Sequence, residues 1–283
     1  MRRSALFLLA VAACAGCGSG SKVRTVTVTT TAGVPPVTQP GTTTQRSAAS
    51  TVVPYFVAGD QVAAGEPVQT PERGVAAAAL RAVLDGPSDR ELAAGLTTAV
   101  PPDTRLLDLA VADGLARVDL SGRFREGEGA PATRERLAQV VYTLTQFPTV
   151  KTVRLRIDGH AVSSLGGVKL DRGLTRADFE DETPAILVES PGFATAVSSP
   201  FTARGTANTF EATFEWELRG ASGAVLAKHF ETATSGTGTR GTFSFPVAFR
   251  VSSTTQGSLV VFERSAADGS RIHVRSVPLT LQP

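Results

Sequence analysis

Two cysteines, three histidines and a few acidic residues are the groups in this 283-residue sequence whose types and spacing could do chemistry. Cys14 and Cys17 are the only cysteines and stand as C-x-x-C. In a reduced, folded domain that spacing supports thiol redox chemistry at a helix N-terminus. Here it closes the apolar run Ala5 to Ala13, behind the basic Met1-Arg2-Arg3, which is the layout of an export signal and too short to span a bilayer. With both cysteines spent there, the rest of the chain has neither a disulfide framework nor a thiolate metal site.

The acidic candidates lie further on. Leu107, Leu109 and Val111 alternate up to Asp113-Gly114, and Ala116, Val118 and Leu120 resume the alternation, so a two-residue turn pairs Leu107 with Leu120, Leu109 with Val118 and Val111 with Ala116. The opposite face then sets Asp108 across from Asp119. Such a dyad could share a proton or hold a cation, but with Arg117 beside it and no nearby histidine a solvated sheet face is the plainer reading. A second acidic row, Glu211, Glu215 and Glu217, alternates with Phe210, Ala212, Phe214, Trp216 and Leu218 and could face a basic partner. His160, His229 and His273 are scattered without metal-ligand spacing. Gly236-Thr237-Gly238-Thr239-Arg240-Gly241 fits G-x-G-x-x-G in letters, but an alternating strand follows it instead of the helix that holds a pyrophosphate. No catalytic residue, cofactor or metal site is expected.

Composition narrows the partners. The chain is 42% hydrophobic and 19% charged with a formal net charge of +2, and no cluster of Lys or Arg drives nucleic-acid binding. Small residues before Cys14 and before Cys17 resemble the bacterial lipobox, in which the cysteine sulfur carries a diacylglycerol. Cys17 has the better adjacent pair and the polar Gly/Ser run behind it, and Cys14 is the alternative. Residues 1–17 thus read as a lipoprotein signal peptide. Residues 18–51, rich in Thr, Ser, Pro and Gly, cannot bury enough area to offset ordering entropy and read as a disordered tether. As a coil it would separate anchor and cargo by roughly 30 Å.

The elements that must position the candidates follow from periodicity. Residues 52–169 begin with a strand at Val53 to Val57. A helix opened by Thr70-Pro71-Glu72 carries Val75, Ala79, Leu80, Val83 and Leu84 to Asp85-Gly86-Pro87. Ser88 to Glu91 has capping-box spacing. After the hairpin, Leu137, Val140, Val141, Leu144 and Phe147 mark a second helix, with Gln139, Thr143 and Gln146 as a polar stripe expected to face solvent. Val153, Leu155 and Ile157 close the domain as a strand. From residue 185 to the C-terminus helical spacing gives way to about seven short alternating strands, which suits a two-sheet sandwich. The fold class is an α+β domain followed by an all-β sandwich, with residues 170–184 as connector.

The strings Leu84-Asp85-Gly86-Pro87-Ser88, Val118-Asp119-Leu120-Ser121 with Phe124, Ala138 to Phe147, Val150 to Val153 and Ile157-Asp158-Gly159 resemble, in this order, the GerMN domain of sporulation and spore germination. Val188-Glu189-Ser190-Pro191-Gly192, Ser199-Pro200-Phe201, Gly205 to Ala212 and Gly241-Thr242-Phe243 resemble the immunoglobulin-like domain of bacterial spore germination. The resemblance implies a non-catalytic module on the extracytoplasmic face of the cell membrane. Its expected partners are the membrane through the lipid, and an envelope protein or peptidoglycan, in sporulation, germination or a related envelope process. The alternatives are a peptidoglycan-acting enzyme or accessory factor, with Asp108 and Asp119 as its acids, and a ligand-binding lipoprotein of a transporter.

Overall fold

A computed structural model describes residues 49–71, 74–127 and 129–283. The signal peptide, both cysteines and the tether up to residue 48 lie outside the described residues.

The first domain contains β1 (Ser50–Val52), β2 (Tyr55–Ala58), β3 (Gln61–Ala64), β4 (Val68–Thr70), α1 (Val75–Asp85), α2 (Asp89–Ala93) and β5 (Leu96–Thr97). Then come β6 (Leu106–Ala112), β7 (Leu115–Leu120), α3 (Ala130–Thr145), β8 (Thr152–Ile157), β9 (His160–Ala161), β10 (Ser164–Leu165) and β11 (Val168–Lys169). The main sheet runs β6-β7-β8-β9, with β7 and β8 parallel and α3 in the crossover between them. Helices α1 and α3 share a core with its inner face, where Leu80, Val83, Leu137 and Val141 meet Val118, Leu120 and Ile157.

Local chemistry explains most of these boundaries. Asp113 and Gly114 both take positive φ, 53° and 79°, which a two-residue hairpin turn requires. Ser88 and Glu91 form the expected capping box on α2, the Glu91 carboxylate accepting from the Ser88 backbone N–H at 2.8 Å. Three expectations need correction. Helix α1 begins at Val75, because Thr70 is already used by β4, which pairs with β1 at Ser50; Ser50 and Thr51, expected in the tether, thus belong to a strand. A bulge between Leu106 and Asp108 places Leu106, not Leu107, opposite Leu120, and leaves Leu107 49% exposed.

The third correction concerns the polar stripe of α3, in which Gln139 and Thr143 are fully buried and Gln146 is half-buried. Gln146 donates to the Val53 carbonyl at 2.7 Å and accepts from the Val53 N–H at 3.0 Å. Thr143 Oγ1 accepts from the Tyr55 N–H at 3.0 Å, and Gln139 donates to the Tyr55 carbonyl at 3.1 Å while accepting from the Ala99 N–H at 2.8 Å. Side chains at helical spacing thus supply the hydrogen bonds that a neighbouring strand would otherwise make, and buried polar groups need such partners.

Residues 170–184 do more than connect. Leu174 exchanges backbone hydrogen bonds with Val153 at 2.8 and 2.9 Å, a short 3-10 turn spans Arg176–Phe179, and Leu174 and Phe179 join the first core.

The second domain is a sandwich of eight strands: β12 (Ile186–Ser190), β13 (Ala196–Ser198), β14 (Phe201–Ala207), β15 (Thr213–Gly220), β16 (Val225–Thr232), β17 (Gly241–Val247), β18 (Thr255–Arg264) and β19 (Arg271–Gln282). One sheet is β12-β14-β17 and the other β13-β19-β18-β15-β16. Without disulfide or tyrosine, the core rests on aromatic packing: Trp216 stacks on Phe245 at 5.2 Å, and Phe214 lies 4.8 Å from Phe243. Phe210 and Ala212 do not continue β15 inward. They sit in a 3-10 turn forced by the left-handed Glu211 and Ala212, and Phe210 is 56% exposed.

Candidate functional site

The structure does not gather the candidate residues. Asp108 and Asp119 do face each other across β6 and β7, on the open side of the first sheet. Asp119 accepts from the Gly159 N–H at 3.0 Å, and Arg156 is its register neighbour on β8. His160, which follows Gly159 on β9, is exposed and its Nδ1 meets the Asp158 carbonyl, so the pair has the surroundings of a solvated sheet face. Glu211, Glu215 and Glu217 lie far away on the sandwich.

That glutamate row is already occupied. Glu215 pairs with Arg264 at 3.1 Å. Glu217, expected to point outward and be free, is buried between Arg219, at 2.6 Å, and Arg271. Burial raises the Glu217 carboxyl, but hydrogen bonds from Arg271 and Arg219 outweigh it and hold the pKa below the usual glutamate value. Glu211 alone is exposed without a carboxylate partner in this row, its backbone N–H bonded to Thr237.

The G-x-G-x-x-G letters lie in the loop between β16 and β17, with strand after them. Their glycines serve packing: a Cβ on Gly236 would sit 2.5 Å from the Ala212 backbone, and one on Gly241 2.3 Å from the Ser235 nitrogen. Among the described residues no group of three His, Cys, Asp or Glu could hold a metal. His273 Nδ1 meets Glu263 at 2.8 Å.

What sequence reasoning missed is the junction of the two domains. Residues Arg46–Pro283 form one compact unit, held by a polar lock and a small apolar seam. The lock centres on Arg176, whose guanidinium lies 4.5 Å from the Tyr142 ring centroid and 5.8 Å from that of Tyr55. It donates to Thr145 Oγ1 at 2.7 Å and to Glu189 of β12, which also accepts from the Tyr55 hydroxyl at 2.9 Å. Burial first, then the Glu189 charge, push the Tyr55 hydroxyl pKa well up. Burial opposes the Arg176 charge, but Tyr55 and Glu189 outweigh it and raise its pKa. Phe56 and Leu96 from the first domain pack with Phe193 from the second, Phe193 N–H donates to the Gly65 carbonyl at 3.1 Å, and Leu187 of β12 reaches into the first core.

Beside the lock runs a groove with two halves that share Pro184, Val274 and Arg275. In the polar half, about 430 Å³, several groups are already bonded within the chain: Arg240 to Glu180 at 2.9 Å and the Pro184 carbonyl at 3.0 Å, Asn208 to Glu180 at 2.8 Å, and Arg275 to Gln61. The apolar half, about 390 Å³, is lined by Val62, Ala63, Leu96, Ile186, Phe193 and Val277 among others and offers contact area with few competing hydrogen bonds. Ligand sites favour such concave, apolar junctions between domains. The sequence signals for this site were a connector dense in charged residues and carrying one aromatic, Phe179, and Pro-Gly at positions 191 and 192.

The described residues thus form an α+β domain joined through the Arg176 lock to an immunoglobulin-like sandwich, and the candidate acids do not come together between them. Residues 53–163 match the family described as sporulation and spore germination, and residues 185–270 match the immunoglobulin-like domain of bacterial spore germination; the chain carries one domain of each family. The spore germination protein GerM of Bacillus subtilis (strain 168) is 32% identical over 99 residues, which is 34% of this chain. This chain thus spans about a quarter of that relative, 26% of its length. The first GerMN domain of that protein, as a solved structure, is 27% identical and covers 46% of this chain and 99% of its own, with a TM-score of 0.40. Its tandem GerMN domains are 18% identical, covering 83% of this chain and 61% of theirs, with a TM-score of 0.42.

Proposed function

We propose that the chain is a lipid-anchored envelope protein, tethered through Cys17 or alternatively Cys14, whose two domains act as one rigid, non-catalytic module binding an envelope protein in sporulation, germination or a related process. The observation that carries the reading is the groove between the domains. Arg240, Asn208 and Arg275 of its polar half are already bonded within the chain, so recognition falls on the apolar half, and an apolar hollow suits an aliphatic or aromatic side chain of a protein better than a glycan. In the apolar half Leu96 and Phe193, from the two domains, are already packed together, so its walls are held before a partner arrives and binding loses little further conformational freedom. Among the described residues no helix is long and apolar enough to cross a membrane. The signal-peptide and lipobox pattern supports a lipid anchor.

The test is crosslinking and pull-down from native envelopes with the full chain, with C14A/C17A, and with A63R, which fills the apolar half from β3. Loss of one defined envelope protein with A63R, at unchanged thermal stability, is the expected result. Recovery of the same proteins with A63R would remove the groove from the reading, and recovery of glycan fragments without protein would move the function to the wall. Failure of C14A/C17A to release the chain from membranes would overturn the anchor alone.

A further inference from the structure

Two exposed large aromatic side chains, Phe230 at 63% and Phe210 at 56%, gather at one corner of the sandwich, and Val225, 47% exposed, lies further along the same strand as Phe230. Phe230 and Phe210 line one hollow of about 250 Å³ with Phe214, Glu215 and Arg264. Phe230 and Val225 belong to β16, the outermost strand of the five-stranded sheet, whose far edge pairs with no strand among the described residues. Scattered apolar residues on a surface are ordinary, but an apolar cluster on a free strand edge is a template for one more strand.

We propose that β16 is a self-association edge, on which a second copy of this chain pairs antiparallel about a two-fold axis at Phe230. A two-fold axis normal to the sheet keeps each face on its own side, so residues equally far before and after the axis meet. At this centre Phe230 meets Phe230 of the second copy, His229 meets its Glu231, and Lys228 meets its Thr232. The neighbouring centres oppose like groups: Lys228 with Lys228, His229 with His229, or Glu231 with Glu231. Phe230 is the one position in this stretch where self-opposition is favourable, an aromatic pair, and where the flanking row becomes complementary in charge and hydrogen bonding. The Phe230 carbonyl is met by His229 Nδ1 at 2.6 Å, a local ring nitrogen standing where the N–H of a second copy would donate. An edge-to-edge contact of this length belongs to the small, reversible class of interfaces. The inference is independent of the groove, and either can fail without the other.

The experiment uses the full chain with C14S/C17S, so that an added cysteine is the only thiol. Under oxidation F230C is expected to link to itself. K228C and T232C are each expected to stay unlinked alone and to form a mixed disulfide dimer when combined. Sedimentation velocity of the chain without added cysteine is expected to show a concentration-dependent dimer, which F230E weakens at least ten-fold without altering the far-UV spectrum. A monomer at every soluble concentration, a dimer indifferent to F230E, or self-linking of K228C or T232C would overturn the proposal.

Discussion

Replacing Gln139 by leucine tests most directly whether the α3 stripe is structural. The side chain is fully buried and joins two backbone groups of other elements, the Tyr55 carbonyl at 3.1 Å and the Ala99 N–H at 2.8 Å. Leucine has nearly the same volume but serves neither, so two buried backbone groups lose their partners at about 1–3 kcal/mol each. The apolar leucine returns roughly 1–2 kcal/mol by burial. The expected net loss is centred on about 2–3 kcal/mol, a large part of the roughly 5–15 kcal/mol that holds a domain folded. Urea unfolding followed by far-UV circular dichroism would show a lower midpoint at an unchanged slope. A solvent-facing stripe would behave otherwise, since surface substitutions usually stay within about 0.5 kcal/mol. A loss of that size or smaller for Q139L would refute the reasoning from buried hydrogen bonds.

Other expectations follow from the same geometry. Arg176→Met leaves Glu189 without its cation at a partly buried site and should lower stability by about 2–4 kcal/mol, whereas Glu189→Gln with Arg176 intact should cost less; thermal unfolding of both compares them. Glu217, Glu180 and Asp178 have folded pKa values below their ordinary ones, so the unfolded chain binds more protons in acid. Their stabilisation is therefore complete above the ordinary glutamate value of 4.5 and is lost as pH falls below it; E217Q should flatten the acid limb of a stability–pH curve. Gly192→Ala would bring a Cβ within 2.6 Å of the Gly65 carbonyl oxygen, so it should loosen the domain junction, seen as faster proteolysis near residues 184–195. D108N/D119N should leave stability within about 0.5 kcal/mol and partner recovery unchanged, because the pair is a like-charge couple on an open sheet face; loss of muropeptide turnover with this variant would restore the acid pair as a reaction centre.

Much of the architecture was legible because it is written in short-range patterns. Asp113-Gly114 between alternating apolar runs specifies the hairpin turn, Ser88 to Glu91 specifies a helix start, and the alternation in Phe243, Phe245 and Val247 specifies a sandwich strand facing inward. Where the pattern misled, a non-local partner had intervened. Leu107 alternates correctly, but the bulge beside it moves it to the solvent side. Thr70 has the type of a helix cap, yet Ser50 takes it into a strand. Glu217 alternates outward, but Arg219 and Arg271 close over it.

The sequence by itself determined the succession of an α+β domain and an all-β domain, the Asp108–Asp119 register and the absence of cysteine beyond Cys17, because each depends on spacing along the chain. Only the tertiary structure decided that Gln139 and Thr143 are buried and Gln146 is bonded to Val53, and that Tyr55, Tyr142, Arg176 and Glu189 lock the domains beside a groove. Those residues are separated by up to 134 positions, as Tyr55 and Glu189 are, and periodicity reports which face a residue occupies but not what will be packed against it. A polar stripe on a helix has the same signature whether water or another backbone satisfies it.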